Sequence, residues 1–130
     1  MGSANGKSRV TIQLWLEPDV ISTDLTVLTM YMDYAFGLPY LMSKYLSLGV
    51  KLMDIVAACT STPASLMGMK GVLGTLAPGA LADVAVFRRV QRPTRFKDTP
   101  GDIFVGDQLL ISQMTVLGGK IVYRQIDFGT

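Results

Sequence analysis

From Gly74 to Phe87 the chain reads Gly-Thr-Leu-Ala-Pro-Gly-Ala-Leu-Ala-Asp-Val-Ala-Val-Phe, a turn that feeds a strand, and this stretch limits the fold more than any other. Pro78 presets its φ and Gly79 accepts a positive one, so the pair suits the two central positions of a type II turn. From Asp83 onward the pattern has period two. Val84, Val86 and Val90 fall on one side, with Ala85, Phe87 and Arg89 on the other, and β-branched residues dominate. A strand that is apolar on both faces at its start has to be covered twice, by helices or a second sheet from this chain or another.

The same residues carry a family resemblance. The pattern Gly-x-Leu-x-Pro-Gly-x-x-Ala-Asp-Val-x-Val-Phe has neighbours that fit in order: Ile21-Ser22-Thr23-Asp24-Leu25, Leu38-Pro39, Met42-Ser43-Lys44-Tyr45-Leu46 with Leu48-Gly49, and Ala57-Ala58-Cys59-Thr60 with Pro63-Ala64. Met114 to Tyr123 completes the series. Together they resemble the amidohydrolase superfamily, the metal-dependent hydrolases that include dihydroorotases and N-acyl amino acid deacetylases, where those enzymes leave the catalytic barrel for a small β-sandwich. The deacetylase-like branch resembles this chain most.

Length decides how far the resemblance extends. The chain has 130 residues, whereas a complete (β/α)₈ barrel takes roughly 250. The expectation is therefore an α+β chain: an incomplete barrel end over 10–73 and a partial β-sandwich over 74–130, together one domain. At 49% hydrophobic and 17% charged residues, the sequence can bury a core and has little charge for a free-standing domain, which implies apolar contact with a partner. A net charge of +2 is too small to imply an acidic ligand, and the single cysteine, Cys59, excludes an intramolecular disulfide. A cytoplasmic location is the default.

Residues 1–9 read as a disordered leader or an expression scar. No apolar stretch approaches the roughly 18 residues of a membrane span. Val10–Leu16 fits a short strand or the last turns of a helix, and Pro18 then breaks it. Leu25, Leu28, Met32 and Phe36 recur at helical spacing, so a helix is expected over about 25–36 with Asp24 as its N-cap. The resemblance assigns Asp24 another role, since in the family the aspartate of Ser-Thr-Asp contacts a metal ion and shuttles a proton for the attacking water. The histidine usual two residues later is replaced by Thr26, and the cap is the preferred reading.

Further helices are expected over about 38–48, 51–59 and 62–67. The first has Pro39 in its opening turn, an apolar face of Leu38, Leu41, Met42, Tyr45, Leu46 and Leu48, and Gly49 as a stop. The second turns Leu52, Ile55, Val56 and Cys59 inward, and the third is capped by Thr62 with Pro63 at its first position. These helices are expected to lie on the strand from Asp83, at roughly 1.5–3 kcal/mol for each large side chain buried, before ordering entropy is subtracted.

Strands are expected over about 83–90, 109–117 and 120–125, the last two joined by a type I′ turn at Gly118-Gly119. Between them, Arg88, Arg89, Arg92, Arg95 and Lys97 alternate with Phe87 and Phe96. A small nucleic-acid-binding module would use such residues, but a solvated strand face and loop is the preferred reading for so nearly neutral a chain. Pro93 marks an edge or a break there, and 98–107 reads as loop.

The chemistry turns on one absence. The resemblance implies one or two divalent metals, such as zinc, bound through a His-x-His pair and further histidines, and this sequence has no histidine. Asp24 alone cannot hold a catalytic zinc, and Asp19, Asp33 and Cys59 are not spaced as a cluster. Without the metal a water is far too weak an acid to give hydroxide at neutral pH, and a serine or cysteine nucleophile has no imidazole to activate it. The expectation is a chain without its own cofactor, inactive alone, that acts as an oligomerising or interaction protein. The alternative is part of a metal-dependent hydrolase of amide or cyclic amide C–N bonds whose barrel lies elsewhere. The half-built sandwich implies a homodimer, or association with another chain.

Overall fold

The computed structural model describes residues 18–23, 37–97 and 102–129. Among them are three helices, α1 (Leu38–Ser47), α2 (Leu52–Cys59) and α3 (Ser61–Leu66), followed by three strands, β1 (Val84–Lys97), β2 (Ile103–Leu117) and β3 (Lys120–Arg124). The expected 25–36 helix, Asp24 and Val10–Leu16 lie outside the described residues.

The strands form one antiparallel sheet in the order β1-β2-β3. Gly118 and Gly119, at φ 55° and 79°, make the two-residue turn between Leu117 and Lys120, and both signs are those of a type I′ hairpin. In the loop that leads into β1, Ala80 N–H donates to the Ala77 carbonyl at 3.1 Å. That bond closes the Pro78-Gly79 turn, with Gly79 at φ 91° as a type II turn demands.

Two strands run longer than their sequence suggests. β1 does not stop at Val90 but continues to Lys97, with a register shift between Gln91 and Thr94 that leaves Arg92 and Pro93 out of the ladder. Pro93 is tolerated because β1 is an edge strand and the bulge asks no donor of it. β2 begins at Ile103, so half of the 98–107 stretch read as loop, 103–107, is strand. Gly106 sits inside it because α1 crosses there. A Cβ at Gly106 would overlap the Ser47 side chain and lie 2.7 Å from the Phe96 ring.

α1 follows its expected outline. Gly37 is the N-cap, Pro39 lies in the first turn, and the helix ends on a Schellman motif. There Gly49 stands at φ 98°, its N–H donates to Leu46 O and the Val50 N–H donates to Tyr45 O, both at 3.1 Å. α3 differs. It starts at Ser61, so Thr62 is inside the helix rather than its cap, and Pro63 occupies the third position, where the backbone N–H has no helical partner to lose. Thr60 takes the N-cap place, yet its hydroxyl donates back to Val56 O at 2.6 Å and ties off α2 instead.

The core is built from Met42 and Leu46 of α1, Ile55 and Ala58 of α2, Val50 between them, Ile21 and Leu110, with Leu38, Leu41, Tyr45, Leu52, Cys59 and Phe87 against it. Ile21 is held by its N–H to Ala58 O at 3.1 Å. The helices were expected on the strand from Asp83, but α1 packs on β2. The reason is polar as much as apolar. β3 pairs with β2 only from Met114 to Leu117, so the rest of that side of β2 needs other partners. Ser43 and Ser47 supply them: Leu110 N–H donates to Ser43 Oγ at 2.8 Å, and Gln108 gives its N–H to Ser47 Oγ and takes the hydroxyl proton on its carbonyl, both at 3.1 Å. Ser43 is fully buried and passes its own proton to Pro39 O at 2.6 Å. Among the described residues no helix is long and apolar enough to cross a membrane.

Candidate functional site

α2, the loop after α3 and the first residues of β1 surround a half-open cavity of about 490 Å³. Gly74 sets its floor. At φ 72°, with a would-be Cβ only 2.5 Å from Thr60 O, it lets the loop lie directly on the α2–α3 junction. The wall is largely apolar, from Met42, Met53, Val56, Ala57, Leu76, Val84 and Phe87, with Cys59, Thr60, Ser61, Thr75 and Asp83 among them. Most of the polar groups are already engaged. Thr60 serves α2, Thr75 Oγ1 accepts from Ala77 N–H at 3.2 Å, and Asp83 Oδ1 accepts from Gly118 N–H at 2.8 Å.

Cys59 is the one thiol in that wall. Burial pushes its thiol pKa up, so the reactive thiolate is disfavoured, and the chain has no imidazole to take the proton. The cavity can hold an apolar group but offers nothing to activate it.

A metal fares no better. Among the described residues no three side chains of His, Cys, Asp or Glu converge, and without imidazole anywhere in the sequence the donor chemistry does not fit a zinc centre. Asp24, the single site residue the resemblance supplied, is outside the described residues.

The basic run is spread along β1. Arg88 pairs with Asp127 at 3.0 Å, and Arg89 Nε donates to Gln108 Oε1 at 2.9 Å. Because the cross-strand partners Ile111 and Leu110 are adjacent in β2, the two arginines lie on opposite faces of the sheet. Phe96 is fully buried, stacked on Phe104 at 5.3 Å and tilted against Tyr40 at 5.2 Å, while Phe87 packs on the core. Neither ring is placed to stack on a base.

The outer side of β3 is different in kind. All five of its residues are exposed, Ile121, Val122 and Tyr123 at 60%, 59% and 44%, and the flanking Leu117 and Ile126 stand out at 59% and 98%. Val122 is the extra residue of a bulge opposite Thr115 and Val116. Among the described residues no strand pairs with its outer side, and such an edge presents outward N–H and C=O groups at every second residue.

Sequence reasoning found this strand and its turn but missed Ser43, Ser47 and Tyr40, whose hydroxyl accepts from Lys97 N–H at 2.6 Å. The available signal was the spacing Pro39-Ser43-Ser47, which puts two small hydroxyls in line on one helix face.

A family model described as the amidohydrolase family matches residues 44–123. Among solved structures, an adenine deaminase is similar at a TM-score of 0.75 and 25% identity, over 82% of this chain and 28% of its own. A dihydroorotase is similar at 0.72 and 29% identity, over 85% of this chain and 28% of its own. The chain thus spans little more than a quarter of the length of either protein. No curated protein matches it.

Proposed function

The chain belongs to the amidohydrolase family, and from that membership we propose that it is the non-catalytic, sheet-bearing portion of an amidohydrolase-type enzyme, working in association with another polypeptide rather than by itself. The observation that carries this reading is the donor inventory: a well-built core of helices and sheet joined to a sequence with no histidine. Family chemistry needs a Lewis acid to make hydroxide at neutral pH, and imidazole is what holds it. The exposed apolar residues of β3 support the association half of the proposal.

For the assembled enzyme, the reaction class we propose is hydrolysis of an amide or cyclic amide C–N bond, in line with a dihydroorotase as a structural neighbour and with the deacetylase-like sequence pattern. The test is direct. The purified chain, supplied with zinc, is assayed on dihydroorotate, adenine and N-acetyl amino acids while its metal content is measured. No turnover and no stoichiometric zinc are expected. One tightly held metal per chain, with turnover abolished by Asp24→Ala, would overturn the proposal.

A further inference from the structure

The two outer edges of the sheet are treated unequally. β1 carries the bulge at Arg92-Pro93 and five cationic side chains between Arg88 and Lys97, which are the usual devices for keeping an edge from recruiting another strand. β3 has a bulge too, at Val122, but it has no proline and only two cationic side chains, and its middle is apolar: Ile121, Val122 and Tyr123 are exposed between Lys120 and Arg124. From Leu117 to Ile126 there is no acidic residue, and the next one, Asp127, is already paired with Arg88.

That charge pattern discriminates between occupants. A second copy pairing its β3 antiparallel about Val122 would bring Lys120 of each chain against Arg124 of the other, so both ends of the new ladder would carry like charges, which destabilises a strand pair. A strand with apolar residues in its middle and a carboxylate towards each end meets the same edge with two attractive pairs and a matched apolar centre. We propose that the outer edge of β3 is a strand-addition site for an acidic-ended β-strand of the partner polypeptide. This rests on the reading above, that the chain works by association, and names the means of attachment.

The probe is a synthetic eight-residue peptide in which valine and threonine alternate between two glutamates four positions apart, with a counterpart bearing lysines at the glutamate positions. Each is titrated into the full chain at low salt and followed by backbone amide NMR. The glutamate peptide is expected to shift amides confined to 117–126, to weaken with added salt, and to bind about tenfold more weakly to the K120E/R124E variant. The lysine peptide is expected to reverse that preference and favour the variant. A merely misfolded variant would bind neither, and both substituted positions are exposed.

Equal binding of the two peptides, shifts centred outside β3, no binding at all, or a dimer of the chain that buries β3 by itself would each overturn the site. Any of these leaves the non-catalytic reading standing, since that reading falls only to turnover by the chain alone.

Discussion

Along one side of β2 the backbone at 108–110 is closed by two serine hydroxyls from α1, whereas further along the same side the edge is handed on to β3, whose own outer side has no strand partner among the described residues. Both places pose the same problem, a row of backbone groups wanting partners. The first is solved inside the chain by a helix that carries small hydroxyls where a flat sheet would carry another strand. The second keeps apolar side chains exposed along an edge that no described strand pairs. The contrast separates what the chain needs to fold from what it offers to others.

The most damaging test of the closed edge is Gly106→Val. With α1 crossing at that point, the new side chain has to displace Ser47 and Phe96, and destabilisation at the upper end of the ~1–3 kcal/mol range for overpacking is expected from urea unfolding. Ser43→Ala is next. It leaves the Leu110 N–H buried without its acceptor, at a cost of about 1–3 kcal/mol, and the Leu110 amide should lose hydrogen-exchange protection while the Val122 amide is unchanged. At the bare edge, Ile121→Thr should alter stability by no more than ~0.5 kcal/mol, because a side chain already 60% exposed has little burial to lose. A large loss there would mean that β3 is held by contacts the contrast denies it.

The smallest effect expected concerns pH. Burial raises the Cys59 thiol pKa in the folded chain, so the folded state holds that proton more tightly than the unfolded one. Any stability linked to this group is complete below the ordinary thiol value of about 8.5 and declines as pH rises towards the folded pKa. Cys59→Ala should flatten that alkaline decline slightly and leave stability at pH 6 to 8 without a corresponding slope. An unchanged alkaline limb would assign the decline to other groups.

Turns and helix faces were the legible part of this fold. Gly118-Gly119 and Pro78-Gly79 encode their dihedral angles locally, and the apolar stripe of α1 needs nothing beyond its own spacing to announce which side is buried. The strand ends were not legible, because Pro93 and Gly106 look like breaks until the chain around them is known. Pro93 is harmless only because β1 lies at an edge with a bulge, and Gly106 is required only because α1 crosses there. Thr62 misled for a similar reason: it has the right chemistry for a cap, but the turn at Thr60 starts the helix earlier. Of the candidate site, the missing imidazole was plain in the sequence and Asp24 was supplied by the resemblance alone. The serine clamp was hidden, since its acceptors and donors are set by a pairing more than sixty residues away.

That separation has a consequence for how the chain is made. Ser43 meets Leu110 across 67 positions, so during synthesis at about 5–20 residues per second the helix leaves the ribosome roughly 3–13 seconds before the strand it will clamp. Throughout that interval the oily stripe of Met42 and Leu46 has no sheet to rest on, and closing so long a loop is a slow, non-local step. The nascent chain therefore passes through a stage in which the apolar stripe of α1 is not yet covered by β2. It is at that stage that a chaperone would have this stripe to shield.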